Sequence, residues 1–306
     1  PCPPNAGCLA PTQVLRDGAS YEPATGTWRR IADAPVPLEQ GPAIVVGERL
    51  YYQVGYGQRS RVYAYEPATD AWSAVATPRG LGTLVAAGDR LVSIHAGDEE
   101  AGGFDERYDA AADRWTRLPD DPLGPSFGRD AVWVDGVLLL TAHDLVANPG
   151  SERPSVLRLA ELDLDALTWR LLPDSEVLTG GGVAVGDLVV FGGLGSADGG
   201  AVNNWGRSYP MGGLYDARTG AWSDLPPLDA GEGVKQSWRD ASLAGDRVLT
   251  SGHLLDPAAR AWTVLSPPPP GNLEGQTVVT GPAGILVFGG WDGAAQTAGT
   301  AYLPLR

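Results

Sequence analysis

Six copies of one short segment, each ending in tryptophan, recur along this chain at intervals of 44, 43, 54, 53 and 40 residues. A Gly-bearing turn sits between apolar, β-branched runs within each interval, and no long stretch carries a 3.6-residue apolar period. Together these observations predict an all-β chain, folded as a six-bladed β-propeller of four-stranded antiparallel blades with the ring closed by strands from both termini.

The repeated segment reads Tyr21-Glu-Pro-Ala-Thr-Gly-Thr-Trp28, then Tyr65 to Trp72, Tyr108 to Trp115, Leu162 to Trp169, Tyr215 to Trp222 and Leu255 to Trp262. Each copy is read as a strand, a tight turn and a second strand that starts near Trp; these are strands c and d. A Pro-bearing loop follows, and then a second hairpin, strands a and b. Its turns are Gly47-Glu48, Gly88-Asp89, Asp135-Gly136, Gly186-Asp187 and Gly245-Asp246, with the longer Gly281-Pro282-Ala283-Gly284 in the last blade. Glycine beside aspartate is a hairpin signal because glycine supplies positive φ without steric cost. One sheet cannot bury both its faces alone; a ring of sheets can. The N-terminal segment provides a c–d pair and residues 274–290 the last a–b pair, which removes the free edge. Two segments, Ala19-Ser-Tyr-Glu22 and Ala301-Tyr-Leu-Pro304, compete for the third strand of that closing blade.

On these residues the chain resembles the kelch-repeat family, whose marks are a Gly-Gly pair ending strand b, a Tyr on strand c and a Trp on strand d. Phe191-Gly192-Gly193 and Phe288-Gly289-Gly290 carry the pair; elsewhere it is degraded to Val54-Gly55, His95-Ala96, Ala142-His143 and Gly252-His253. The resemblance covers roughly residues 13–306. The copper-radical oxidases of that family use a cross-linked Cys that the body of this chain lacks, and the iron-binding pattern of the nitrile-specifier members is absent too.

Composition narrows the partners. Forty-two Gly, 26 Pro and 43% hydrophobic residues describe a turn-rich globular chain rather than a disordered one. The net charge of −15, with Lys235 the only lysine, disfavours nucleic acid and anionic lipid. No apolar run is long enough to span a bilayer. Both cysteines lie in residues 1–12, read as a tail, and residues 13–306 as the propeller. Cys2 and Cys8, in a chain otherwise without cysteine, are expected to form a disulfide in an oxidising compartment. The expected location is therefore secreted, extracellular or periplasmic, and the expected source bacterial.

In such a blade the b–c and d–a loops share one face. Both long insertions fall in b–c loops: Asp144 to Arg153, and Leu194 to Gly213 with Asn203-Asn-Trp-Gly-Arg-Ser-Tyr209 inside it. Loops held on a rigid scaffold carry function more often than the scaffold does. His95, His143 and His253 are each read as ending a b strand and so as rimming this face. They come from blades 2, 3 and 5, and no metal is expected. Arg129-Asp130 and Arg239-Asp240 occupy one register at the entrance of strand a. Such pairs either clamp a ligand carboxylate or lock neighbouring blades together. Glu39, Glu274 and Lys235 lie on the same side. Trp205, Trp238 and Trp291 are candidates for stacking on a sugar ring.

The function expected from these residues is that of an exported, monomeric binding module. It would hold a carbohydrate, a small anion or another protein on the b–c/d–a face, without a cofactor. The alternative is a cofactor-independent propeller enzyme such as a sugar mutarotase or isomerase, by resemblance in blade count to the bacterial kelch sialic-acid mutarotases. A purely structural surface protein is a third reading.

Overall fold

The computed structural model of the protein describes residues 15–38, 41, 43–55, 59–80, 82–99, 103–228, 242–250, 253–265, 277–290 and 299–305. Cys2, Cys8, Glu39, Lys235, Trp238, Arg239, Asp240, Glu274 and Trp291 lie outside these residues. The described chain is all-β and builds a six-bladed propeller.

Blade 1 consists of Ala43–Val46, Arg49–Val54, Arg61–Glu66 and Ala71–Val75, in the order a-b-c-d. Blade 2 is Gly82–Ala87, Arg90–His95, Glu106–Asp109 and Arg114–Arg117. Blade 3 is Ser126–Val134, Val137–Asp144, Arg158–Asp163 and Thr168–Leu171. Blade 4 is Gly182–Val185, Leu188–Phe191, Gly213–Asp216 and Ala221–Ser223. Blade 5 is Ser242–Ala244, Arg247–Thr250, His253–Asp256 and Ala261–Val264. Blade 6 has three hydrogen-bonded strands, Thr277–Gly281, Gly284–Phe288 and Thr300–Pro304.

The C-terminal segment therefore takes the third position of the closing blade, with Leu286 opposite Tyr302. The N-terminal hairpin, Gly18–Glu22 with Thr27–Ile31, joins it through rings rather than ladder bonds. Tyr21 lies 6.1 Å from Tyr302, and Trp28 meets Phe288 edge-on at 5.5 Å. Trp72 of blade 1 donates to the carbonyl of Ala32, just after this hairpin. The hairpin thus bears the same relation to blade 1 as strands c and d of blade 1 bear to blade 2.

Period-2 alternation explains the core. Leu138 and Leu140 face blade 2 and pack with Val92 and Ile94, while Leu139 between them faces blade 4 and packs with Val189 and Phe191. Tyr51 and Val62 meet Leu84 and Leu91 between blades 1 and 2. Val190 and Leu214 meet Val248 and Leu255 between blades 4 and 5, and Leu249 meets Ile285 and Val287 between blades 5 and 6. Blades 2 to 5 are thus covered on both faces by their neighbours.

The six c–d turns share one backbone feature. Gly26, Asp70, Asp113, Leu167, Gly220 and Arg260, all five residues after the aligned Tyr or Leu, have φ between 46° and 71°. Two copies meet this left-handed requirement with glycine, and two with aspartate, whose short polar side chain tolerates it. In one respect the strand assignment needs correction: His253 opens strand c of blade 5, opposite Thr250, and does not end strand b. Thr250 of strand b pairs directly with His253, which places the histidine on the following strand.

Candidate functional site

Strand a of blade 3 is kinked where it enters the blade. Its register with strand b slips between Phe127 and Asp130, and Gly128 adopts a φ of 58°. Such a bulge re-aims the residues that follow it. Arg129 turns towards blade 2, and its side chain is 0% exposed. Its Nη2 donates to Asp105 at 2.7 Å, Nη1 to Asp121 at 2.9 Å and to Ser126 Oγ at 3.1 Å, and Nε to the His95 carbonyl at 3.2 Å. This is the geometry of an interblade lock: the guanidinium is surrounded by protein acceptors and does not reach solvent.

His95 belongs to the same cluster. Its backbone N–H donates to Asp105 at 2.9 Å, and its ring Nε2 lies 3.9 Å from the same carboxylate. Ring nitrogen and carboxylate oxygens of His95, Asp105 and Asp121 all come within 4.8 Å of one another, a spacing that could hold a cation. The Arg129 guanidinium already supplies a fixed positive charge to both carboxylates. Burial pushes the Asp105 carboxyl upward, and the Arg129 charge opposes that shift without cancelling it.

The other expected site residues lie apart. Asp130 is half-buried on strand a, accepts the N–H of Ala131 at 2.8 Å, and is pushed up by burial. His253 is buried edge-on to Trp262 inside blade 5. His143 stacks on Phe127 at 5.3 Å, and its buried Nδ1 has no hydrogen-bond partner among the described residues. Burial lowers its pKa below the ordinary histidine value, against the carbonyl groups of Val156 and Ser155 and the charge of Asp144. The three imidazoles therefore occupy three different environments.

What the fold does bring together is the two long insertions. Trp205, from blade 4, donates its indole N–H to the carbonyl of Gly150, from blade 3, at 2.8 Å. The insertion of blade 4 is itself a small hairpin, Ser196–Ala197 with Tyr209–Pro210. Its base is pinched at Gly212, where a Cβ would stand 2.1 Å from the Phe191 carbonyl oxygen, so only glycine fits. Between the insertions and the d–a loop of blade 4 lies a cleft of about 260 Å³. Asp144, Arg153, Ser155, Arg158, Asp174, Glu176, Arg207 and Tyr209 are among its walls.

The charges in this cleft are ordered. Arg158 holds Asp144 at 2.6 Å and the carbonyl of Leu123 at 2.8 Å, and reaches Asp174 at 3.4 Å. Burial opposes its charge, and the two carboxylates more than offset that, raising its pKa. Arg207 forks onto both oxygens of Glu176, at 3.1 and 2.5 Å, and lies 4.2 Å above the Tyr209 ring. That fork keeps the Glu176 carboxyl below the usual carboxylate range.

Comparison with known proteins agrees with this architecture. "Kelch-like protein terF" of Aspergillus terreus is 24% identical over 282 residues, covering 83% of this chain and 58% of the relative. The chain is a six-bladed β-propeller, similar in sequence to a kelch-like protein. It spans less than two thirds of the length of the curated relative it matches. The solved chain described as "Structure of YjhT" aligns over 89% of this propeller and 96% of its own length, with a TM-score of 0.53 and 16% identity, which supports the fold. No family model matches.

The cleft residues Arg158, Asp174 and Glu176 are not singled out by the sequence. One signal was available: each of the two insertions carries an arginine, Arg153 and Arg207, in a chain whose net charge is −15.

Proposed function

We propose that this propeller is a binding module that holds a small polar ligand in the cleft between blades 3 and 4, on its b–c/d–a face. One observation carries the reading: the Trp205–Gly150 hydrogen bond ties the two longest insertions, from different blades, over a polar cleft. Concave sites between structural units, lined by a few convergent polar groups, are where small ligands bind. Export is part of the same proposal, on the Cys2/Cys8 pair of an otherwise cysteine-free chain. Recovery of the full-length protein only from the reducing cytoplasm, with both thiols free, would count against it.

The test is ligand-observed NMR with a panel of neutral monosaccharides, small carboxylates, amino acids and dipeptides. The panel is run against the wild type and against Ser155→Trp, which fills the cleft. A binder whose signal is lost in a Ser155→Trp protein that melts like the wild type supports the site. A binder that the variant retains places the site elsewhere.

A further inference from the structure

The four charges along one wall of the cleft form a row: Arg153, Asp144, Arg158, Asp174. The middle pair is tight, Arg158 to Asp144 at 2.6 Å, and Arg158 is largely sheltered with its side chain 21% exposed. The two end members are held loosely. Arg153 lies 3.5 Å from Asp144 with its side chain 76% exposed, and Asp174 lies 3.4 Å from Arg158 with its side chain 63% exposed. Exposed pairs at such distances contribute little, so either end can exchange its partner at small cost. The middle pair stays satisfied when they do. Arg207 and Glu176 are engaged with each other through two contacts and offer no comparable freedom.

The row thus ends in one available cation and one available anion on the wall of a single cleft. We infer that the ligand is a zwitterion, a free amino acid or short peptide, whose carboxylate takes Arg153 and whose ammonium takes Asp174. This rests on the proposed function above. Arginine offers paired N–H donors that match a carboxylate, and a carboxylate accepts from an ammonium in turn. A ligand with only one charge would leave one end of the row unused. In an acidic chain a bare anion would also meet the wider negative field, which a zwitterion does not.

The probes are glycine, γ-aminobutyrate, ε-aminocaproate and diglycine, each with its N-acetylated and its carboxamide form, titrated by ligand-observed NMR. At least one free zwitterion is expected to bind saturably, and capping either end to weaken it by about 1.5- to fivefold, the range of an exposed ion pair. Arg153→Ala should abolish the preference for the free carboxylate only, and Asp174→Asn the preference for the free ammonium only. Both residues are exposed, so neither variant threatens the fold. Capped and free forms binding equally, or no probe binding at all, overturns the inference. A neutral sugar that binds and is lost in Ser155→Trp would overturn it while leaving the cleft reading intact. A zwitterion that Ser155→Trp still binds overturns both.

Discussion

Trp115 reaches out of blade 2 and donates its indole N–H to the carbonyl oxygen of Ala76, 2.7 Å away in the loop that leaves blade 1. Trp72, Trp169 and Trp262 make the same bond to Ala32, Pro119 and Pro226. A repeated tryptophan thereby fastens each of these blades to the one before it. The sites are not equally deep: Trp115 is 6% exposed, whereas Trp28 of the N-terminal hairpin is 42% exposed. Trp115→Ala should therefore cost roughly 3–5 kcal/mol, the range for removing a large buried side chain. Trp28→Ala should cost clearly less. Thermal unfolding of the two variants checks the order, and equal losses would contradict it.

Asp113 answers Trp115 at the same residue, through the Ala76 N–H rather than its carbonyl. Its carboxylate accepts the N–H of Ala76 at 2.7 Å and the hydroxyl of Tyr108 at 2.7 Å, and Asp70 does the same with Ala32 and Tyr65. The backbone N–H is the larger cause that lowers both carboxyl pKa values, and the tyrosine adds to it. A carboxyl lowered on folding stabilises the fold above its unfolded pKa, and that contribution is lost as pH falls through the folded value. Asp113→Asn should flatten the acid side of the melting-temperature profile below about pH 4. An unchanged acid limb would show that the clamp does not contribute.

Arg129→Met is expected to destabilise by about 3–5 kcal/mol, because it strands the buried Asp105 carboxylate without its cation. Adding Asp105→Asn to that variant should recover part of the loss, since the stranded charge is then gone. Chemical denaturation of the two single variants and the double variant measures the coupling. Strictly additive losses would mean that the contact at 2.7 Å carries no energy.

Asp130 has the opposite linkage to Asp113. Burial raises its carboxyl pKa, and only the Ala131 N–H works against the shift. A raised carboxyl favours the fold fully below its unfolded pKa, and the advantage is lost as pH rises through the folded value. Asp130→Asn keeps an acceptor for Ala131 and removes the buried charge. It should raise the melting temperature at neutral pH and gain little near pH 4, where the wild-type carboxyl is itself becoming protonated. A gain independent of pH would show that charge is not the cause.

The repeat was legible because each blade must solve the same local problem, a left-handed turn residue five positions after Tyr or Leu and two before Trp, and the flanking residues recur even where the turn residue changes. Position 167 shows its limit: a leucine holds the left-handed site there, and only alignment with Gly26 and Asp70 reveals it. The partners of Arg129 were not legible. Asp105 lies 24 residues away in another blade, and no periodicity links the two. The register of His253 failed for a local reason, since a histidine that ends one strand and a histidine that opens the next look alike in sequence. The cleft depends on two insertions meeting across a blade boundary, which the position of Trp205 alone does not announce.

Trp205 is the residue on which that meeting turns. Its indole bonds Gly150, its ring meets Tyr209 edge-on at 5.9 Å, and its backbone N–H donates to the Asp198 carbonyl at 3.0 Å. None of these contacts belongs to an interblade core cluster. Trp205→Ala should therefore leave the melting temperature nearly unchanged while releasing the two insertions from each other. Amide hydrogen exchange should quicken in residues 144–153 and 194–213 and stay constant in the strands of blades 3 and 4, because local opening is set by local contacts. Any ligand found in the cleft should dissociate faster from this variant, since one wall loses its tie to the other. Unchanged exchange in both insertions would show that the indole bond does not hold the cleft, and unfolding of the whole propeller would mean that Trp205 belongs to the scaffold after all.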